Sequence, residues 1–504
     1  MRTVPKFVKL WSTIFAACAT FTLSAVSLTG ASTNQAAEQV PGVAALNTGF
    51  NGTVVAVACP AGNECSAVGT LSQGFDDRNA VFDASESSGT WQTAKLIGLD
   101  SRFGSSGVDT INAYSCSSQG NCSLGGALYN KNTSATNSRQ AFVANEVHGS
   151  WGPAIIVPGT SALGIDGSSV ASIFCVANGE CALGGRYSNN GVNGAGASEV
   201  FVDLEQGGVW GKAVEIPGTE RLNTDGNASV TALACSSGLI CTVGGNYSTG
   251  FGNGSEFSRV FVSEESDGRW GSAIQAPGTA ALNIGENAYI NSISCTRDDY
   301  CNIAGTYDSN HSAGNYNEEV FVSTGYDGRW STAIALPGIV KLNTAHLASL
   351  GADFCVSKGN CIAAGSYSAP LPSGVTGSNQ QVFTSNEVNG KWHSATAIPS
   401  LISLNTDDDA QVSAVSCSSK GNCTVVGTYW TVLGVGHQEA FIINEVGGKW
   451  GTAKEIPNTG ALNRGQYASV TSLACNKSGN CLVGGSYSAN THKDIQPVVF
   501  DEKL

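Results

Sequence analysis

Short runs of alternating apolar and polar residues recur along most of the chain, and each run ends at a cysteine. Residues 230–235 and 290–295 are two such runs. Alternation with a period of two predicts a β-strand, because successive side chains of a strand point to opposite faces of its sheet. Five residues rich in Ser, Gly, Asn and Lys follow, and a second apolar run then begins at another cysteine. Each unit therefore opens with a predicted β-hairpin.

Eight cysteine pairs mark eight copies of this hairpin, with successive first cysteines between 57 residues (59 to 116) and 62 residues (355 to 417) apart. The two cysteines face each other across the strand pair, at a distance that suits a disulfide. Metal sites would need histidines at matching places, and the six histidines share no repeat position. We therefore predict neither metal nor cofactor, and eight disulfides: Cys59–Cys65, Cys116–Cys122, Cys175–Cys181, Cys235–Cys241, Cys295–Cys301, Cys355–Cys361, Cys417–Cys423 and Cys475–Cys481.

Two further strands complete each predicted unit. A third strand carries a phenylalanine in all eight units, from Phe82 to Phe500, and a Gly-x-Trp turn opens a fourth strand in seven of them, from Trp91 to Trp450. These aromatic residues occur in nearly every unit, whereas a binding site would occur once or twice. We therefore interpret them as packing residues, with Trp430 as the one tryptophan of the array outside the pattern.

The two ends of the array complement each other. The last unit ends after its third strand, at residues 498–500, whereas residues 37–42 match the fourth strands of other units, such as residues 213–217. An open solenoid has no use for this complementarity, but a closed ring requires it. We therefore predict an all-β fold: an eight-bladed β-propeller of four-stranded antiparallel blades over residues 33–504, closed by an N-terminal strand.

The order of motifs within a unit is similar to that of a known repeat family. Paired glycines precede a tyrosine, as at Gly245 and Tyr247, and the Gly-x-Trp strand then ends at a proline, as at Trp270 and Pro277. This layout resembles kelch-type blades over the whole array, although the cysteine hairpin is foreign to the kelch pattern. The resemblance implies a β-propeller and names no ligand.

Charge and the N-terminal segment narrow the choice of partner and compartment. The net charge is -14, with 25 Lys plus Arg among 504 residues, which excludes nucleic acid as the expected partner.

Residues 10–30 are uncharged and follow Arg2, Lys6 and Lys9, a layout that predicts a signal peptide over residues 1–31. An uncleaved membrane anchor is the alternative. We expect a secreted, extracellular monomer that contacts a membrane only if this segment is retained.

In a propeller with its first strand innermost, the turn after the fourth strand and the loop between the second and third strands share one face. We call this the loop face; the cysteine hairpins lie on the opposite face. Carboxylates in these turns could bind a cation or the hydroxyl groups of a sugar, and the alternative is that they are solvated turn residues. The candidate ligand-binding residues are Asp225, Glu286, His346, Asp407 and Arg464.

Two functions remain open at the level of sequence. The first is a secreted binding or interaction scaffold for a carbohydrate or a cell-surface ligand. The second is a propeller hydrolase or lyase acting on polysaccharide, because a carboxylate pair for glycoside cleavage needs no local motif. An enzyme should show one or two blades that depart together from the repeat. The loop-face departures are spread over most units, so binding without catalysis is favoured, and no catalytic residue is predicted.

Overall fold

A computed structural model describes residues 36–61, 64–74, 79–87, 89–99, 108–129, 139–164, 166–189, 197–252, 255–310, 317–370, 378–431, 436–490 and 494–504. The predicted signal peptide lies outside the described residues. The described residues form eight antiparallel β-blades, which we number 1 to 8 in chain order. None of the helices among these residues is long and apolar enough to cross a membrane.

Three long strands make up the body of each blade, and the predicted cysteine hairpin joins the first two. The first strands are Gly52–Ala61, Val108–Ser118, Asp166–Ala177, Ser229–Cys235, Ala288–Cys295, Ser349–Ser357, Ala410–Ser419 and Ala468–Cys475. The second strands are Glu64–Ser72, Asn121–Tyr129, Glu180–Asn189, Cys241–Gly252, Tyr300–Asp308, Asn360–Pro370, Asn422–Thr431 and Asn480–Ser488. The third strands are Asn79–Ser87, Arg139–Val147, Ala197–Gln206, Ser255–Ser266, Glu318–Tyr326, Ser378–Val388, His437–Val446 and Ile495–Lys503.

The predicted fourth strand is split into two short pieces in blades 1 to 7. The pieces are Thr90–Trp91 and Lys95–Leu96, Ser150–Trp151 and Ile155–Ile156, Val209–Trp210 and Val214–Glu215, Arg269–Trp270 and Ile274–Gln275, Arg329–Trp330 and Ile334–Ala335, Lys391–Trp392 and Thr396–Ala397, and Lys449–Trp450 and Lys454–Glu455. In most of these blades a residue between the two pieces bonds to the preceding blade. In blade 3, for example, the Ala213 N–H donates to the Pro158 carbonyl oxygen of blade 2 at 2.7 Å.

Short helical turns connect the blades or follow the hairpins. The one-turn helices are Val43–Leu46, Thr160–Leu163, Thr219–Leu222, Thr279–Leu282, Ile339–Leu342 and Thr459–Leu462, and the 3₁₀ turns are Ser237–Leu239 and Pro399–Ser403. An asparagine follows most of these helices and is buried. Asn343 Nδ2, for example, donates to the Glu318 carbonyl oxygen of the preceding blade at 2.7 Å. The asparagine of the repeated Leu-Asn pair therefore links neighbouring blades by a hydrogen bond.

The predicted closure of the ring by the N-terminus is confirmed. The strand Glu38–Gln39 is the outer strand of blade 8, where Glu38 pairs with Val499 and Gln39 with Val498. On the inside of the ring, the Val57 N–H of blade 1 donates to Ser472 Oγ of blade 8 at 3.1 Å. The first and last blades therefore meet at both their inner and outer edges.

Apolar clusters between adjacent blades form the core, and the third-strand phenylalanines are at its centre. Phe201 stands opposite Gly185, and a Cβ atom on that glycine would lie 2.7 Å from the phenylalanine ring and 2.3 Å from the Ser169 carbonyl oxygen. A first-strand carbonyl oxygen is 1.9 to 2.3 Å from such a Cβ atom at the corresponding glycine of all eight blades, which explains why each unit has a glycine here. Blade 8 differs from the predicted alignment, because Phe500 pairs with Val483 and the residue opposite Gly485 is Val498. A shift of two residues keeps Phe500 on the same face of its sheet, so it still reaches the core.

The eight predicted disulfides are confirmed, all within their own hairpins. Their Cα–Cα distances are 4.0 to 4.2 Å, slightly below the separation of about 4.5 Å that is usual for a non-hydrogen-bonded antiparallel pair. Each bridge closes the end of a hairpin on the face opposite the loop face.

Candidate binding cleft between blades 1 and 2

A backbone hydrogen bond ties the outer edges of neighbouring blades at most junctions. An alanine N–H donates to a proline carbonyl oxygen of the preceding blade at 2.6 to 2.8 Å. In blades 1, 3, 4, 5 and 6 this alanine lies three residues after the fourth-strand tryptophan. The pairs are Ala94–Pro41, Ala213–Pro158, Ala273–Pro217, Ala333–Pro277, Ala395–Pro337 and, in blade 8, Ala37–Pro457. At the junction of blades 6 and 7 the Ser400 hydroxyl accepts this bond from Ala453. In blade 1 Gly98 takes the place of the proline, and no bond between Gly98 and Ala154 forms within the described residues.

A second link between blades is polar and buried. A glutamate stands at the same place of the third strand in seven blades, and each is between 1% and 8% exposed: Glu86, Glu146, Glu205, Glu265, Glu387, Glu445 and Glu502. An asparagine of the preceding blade bonds to three of them. Asn386 Nδ2 donates to Glu445 Oε1 at 2.8 Å, Asn444 Nδ2 to Glu502 Oε1 at 2.7 Å, and Asn145 to Glu205.

This second link is also missing between blades 1 and 2. Ser85 occupies the place of Asn145, since Ser85 pairs with Ser66 and Asn145 pairs with Ser123, the residues that follow the second cysteine of each hairpin. A serine side chain is shorter than an asparagine side chain. The Glu146 carboxylate of blade 2, which is 7% exposed, consequently has no hydrogen-bond partner in the described part of the chain.

A cavity of about 750 Å³ lies where both links are missing, and we call it the cleft. Its volume falls within the range of about 300–1,000 Å³ that is typical of small-molecule sites. Polar residues from both blades make up most of its wall. The lining residues are Ser66, Asp83, Ala84, Ser85, Gln92, Thr93, Lys95, Leu96, Ile97, Gly98, Gln119, Gly120, Glu146, Gly149, Ser150 and Trp151.

Hydrogen bonds on the inner side of the cleft and at both of its ends connect blades 1 and 2 and fix their spacing. Ser66 Oγ of blade 1 lies 2.8 Å from Tyr114 Oη of blade 2. Gln119 Nε2 donates to the Glu86 carbonyl oxygen at 3.0 Å near the cysteine hairpin. Toward the loop face, Asn79 pairs with Val108, so that blades 1 and 2 share one continuous sheet. The cleft is therefore a built cavity that opens along the exposed fourth strand of blade 1.

Two carboxylates with raised pKa values line this cleft. Burial, followed by the charge of Asp83, raises the pKa of Glu146 to about 7. Burial also raises the pKa of Asp83 to about 6, although the Trp151 indole and Lys95 partly offset this effect. The pKa of the Tyr114 hydroxyl is raised by burial and by Asp83, so this tyrosine stays neutral. Both carboxyls therefore hold a proton more tightly than usual, and their pKa values are raised mainly by burial.

The five residues proposed from sequence lie elsewhere, in the turns before the first strands of blades 4 to 8. They occupy three different positions relative to the buried asparagine of each turn. Arg464 follows the asparagine directly, Asp225 and Asp407 are two residues after it, and Glu286 and His346 are three residues after it, with φ of 69° and 65°. Each residue belongs to a different junction, and none lines the cleft. They form a dispersed ring of turn residues, and their binding role stays a prediction.

Trp430 lies beside one of these turns. Its carbonyl oxygen accepts a hydrogen bond from the Asp407 N–H at 3.2 Å, and its own N–H donates to the Asp409 carbonyl oxygen at 3.0 Å. The corresponding place in blades 4 and 6 holds Ser248 and Ser368, which make the same turn contact. Trp430 is thus a departure from the repeat on the loop face, next to one of the predicted acidic residues.

The residues of the cleft were not predicted, because they lie in the third and fourth strands and not in the loop-face turns that supplied the candidate site residues. Asp83 directly follows the third-strand phenylalanine, where blades 2 to 5 have valine, blade 6 has threonine, blade 7 has isoleucine and blade 8 has Asp501. Together with Ser85 and Gly98, this gives three departures at a single junction. The signal was therefore present in the sequence. Within the described residues no group of three or more His, Cys, Asp or Glu side chains has the arrangement of a metal site.

No model of a known protein family matches the chain, and no curated protein matches it. The kelch resemblance is therefore not supported by a family match. Several solved structures are similar in fold. The polysaccharide lyase Uly1 is 11% identical over 93% of this chain and 97% of its own, with a TM-score of 0.48. The β-propeller domain of the Trilobed protease from Pyrococcus furiosus is 8% identical over 80% of this chain and 97% of its own, with a TM-score of 0.40. A prolyl endopeptidase is 11% identical over 89% of this chain, with a TM-score of 0.43, and the present chain spans 56% of its length.

Proposed function

We propose that this protein is an extracellular carbohydrate-binding propeller and that sugar residues bind in the cleft between blades 1 and 2. The observation that carries the proposal is the coincidence of a ligand-sized cavity with the buried Glu146 carboxylate, which lacks a partner in the described part of the chain. The Glu146 carboxylate faces the cleft, so a ligand hydroxyl group can donate to it without displacing a protein partner.

The composition of the cleft wall favours a sugar over a peptide. Asp83, Gln92 and Gln119 offer the carboxylate and amide groups that hydrogen-bond pairs of hydroxyl groups. Trp151 offers an aromatic surface that suits the apolar face of a pyranose ring. Few apolar side chains line the cleft, so the hydrophobic residues that anchor most peptides would find little surface there.

The compartment fits an extracellular ligand. Disulfides form and persist in oxidising environments, and this chain has one in each of its eight blades. Such a set of bridges is typical of proteins outside the reducing cytosol. Extracellular polysaccharides and glycans of cell surfaces are then the accessible carbohydrates.

A glycan array and pull-down on insoluble polysaccharides test this function. Lys95→Trp places a large side chain at the exposed mouth of the cleft and should weaken binding at least tenfold. Ile334→Trp is the control, because Ile334 is exposed at the place in blade 5 that corresponds to Lys95 in blade 1. This variant should leave the affinity for carbohydrate unchanged. Absence of carbohydrate binding by the parent protein would refute the proposal.

The loop face provides the competing location for the same function. A variant with Asp225→Asn, Glu286→Gln and Asp407→Asn removes three of the predicted carboxylates without touching the cleft. If this variant loses binding while Lys95→Trp retains it, the ligand binds on the loop face, with Trp430 as the neighbouring aromatic residue.

A further inference from the structure

The cleft contains a chemical asymmetry that binding alone does not need. Its wall holds two carboxyl groups that are largely withdrawn from water, Glu146 and Asp83, on facing strands of two different blades. Asp83 pairs across its sheet with Lys95, whose charge favours the ionised form of Asp83, whereas no cation lowers the pKa of Glu146. Two carboxyl groups in such different surroundings are suited to opposite proton-transfer roles.

We propose that this cleft hydrolyses glycosidic bonds of neutral sugars, with Glu146 as the general acid and Asp83 as the general base. This inference rests on the proposed carbohydrate-binding function and assigns a reaction to the same site. The geometric basis is the cavity itself, since both side chains line a space that is large enough for sugar residues and open to water along the outer edge of blade 1.

The reaction balances with water as the second reactant. Glu146 gives its proton to the glycosidic oxygen while the bond between this oxygen and the anomeric carbon breaks. Asp83 takes a proton from a water molecule, whose oxygen forms the new bond to the anomeric carbon. One glycoside and one water yield a free reducing end and an alcohol. Proton exchange with solvent then restores both carboxyl groups.

The negative charge of the cleft and of the whole chain favours neutral polysaccharides as substrates. The cleft has a single lysine against two carboxyl groups, and the chain as a whole carries a net charge of -14. A uronate residue would bring another carboxylate into this field, and a lyase would need cationic groups to neutralise that carboxylate. Neutral polysaccharides are therefore the expected substrates, and hydrolysis is favoured over elimination.

The pH dependence follows from the groups that face the two carboxyls, which are Lys95, Tyr114 and Trp151. Activity requires Asp83 to be ionised, so it rises as the pH passes about 6. Activity also requires Glu146 to be protonated, so it falls as the pH passes about 7. Tyr114 stays neutral throughout this range. The pH profile should therefore be bell-shaped, with its maximum between these two values.

The test measures new reducing ends after incubation with xylan, mannan, galactan and β-glucan, with polygalacturonate as the anionic comparison. Glu146→Gln and Asp83→Asn should each lower the rate at least about 100-fold, the size of a typical general acid or base contribution. Both variants should still bind the polysaccharide. Glu205→Gln is the matched control, because Glu205 occupies the same place in blade 3 without lining the cleft, and it should keep full activity.

Two results would overturn the inference. If the protein binds a polysaccharide in the cleft and releases no reducing ends over the whole pH range, hydrolysis is excluded while the binding function stands. If products form but Glu146→Gln and Asp83→Asn are as active as Glu205→Gln, the assigned groups are wrong. Loss of binding by Lys95→Trp reports separately on the binding function.

Discussion

The Trp91 indole nitrogen of blade 1 donates a hydrogen bond of 3.1 Å to Asp501 Oδ2 of blade 8, although the two residues are 410 positions apart in the chain. Asp501 pairs with Leu482, so it holds the same place in its blade as Asn145 does in blade 2 and Ser85 in blade 1. At this position Asp501 and Asn145 each make side-chain hydrogen bonds to the next blade, whereas Ser85 makes none across the cleft to Glu146.

The Trp91–Asp501 bond should stabilise the junction that closes the ring. Trp91→Phe keeps an aromatic ring but removes the donor, and we expect it to lower the free energy of unfolding by about 1–3 kcal/mol, since the partly buried Asp501 carboxylate loses a partner. Trp270→Phe is the control. The Trp270 indole nitrogen is buried without a partner among the described residues, and the ring packs in a cluster with Leu204. Chemical denaturation should show a smaller loss for Trp270→Phe than for Trp91→Phe.

Stability should fall as the pH rises from acidic to neutral. Burial, together with Asp501 and Glu38, raises the pKa of Glu86 from 4.5 to about 7, and burial raises the pKa of Asp501 from 3.8 to about 6. A folded-state pKa above the unfolded value means that the folded protein binds protons more tightly. These groups therefore impose no penalty below about pH 4 and their full penalty above about pH 7. The thermal midpoint should be higher at about pH 5 than at about pH 8.

Glu86→Gln tests the origin of this pH dependence. The substitution removes one of the buried carboxyls without removing its shape, so the decline in thermal midpoint between acidic and neutral pH should become shallower. A midpoint that increases with pH in the parent protein would contradict the assignment, because it would require carboxyls whose folded-state pKa values are lowered.

Ser85→Asn should repair the junction between blades 1 and 2. An asparagine at this place can bond to Glu146 as Asn386 bonds to Glu445 and Asn444 bonds to Glu502. We expect the free energy of unfolding to rise by about 1 kcal/mol, the net contribution of a typical hydrogen bond. The new side chain also fills part of the cleft, so carbohydrate affinity should fall. Calorimetry and binding measured on the same sample check both effects, and a more stable variant with unchanged affinity would place the ligand outside the cleft.

Any single disulfide should be dispensable. Each bridge closes a loop of five intervening residues, for which the chain-entropy model gives about 2 kcal/mol. Replacing Cys235 and Cys241 by alanine should lower stability by about that amount and leave a folded, ligand-binding protein. Reduction of all eight bridges together should cause unfolding at a much lower temperature. Non-reducing peptide mapping and thermal melts provide the measurements.

The sequence by itself determined the repeat, the strand order, the disulfides and the ring closure. These follow from local patterns, because alternation defines strands, five-residue spacing defines a hairpin, and a missing strand at one end matches an extra strand at the other. The fourth strand was predicted as one piece and is split in two in blades 1 to 7, and at most junctions a residue between the pieces bonds to the neighbouring blade, as Ala213 does to Pro158. The two-residue displacement of Phe500 was likewise invisible, as a shift of two preserves the alternation.

Only the tertiary structure decided where the repeat leaves a cavity. Asp83, Ser85 and Gly98 belong to blade 1, whereas Glu146 and Trp151 belong to blade 2, and their proximity arises from the stacking of two blades. A one-dimensional comparison of units reveals that Asp83 is unusual, but it does not show that Ser85 fails to reach Glu146 or that Gly98 lacks the bond to Ala154. Packing between units depends on pairs of side chains from different repeats. The periodicity within one repeat does not predict which side chains form those pairs.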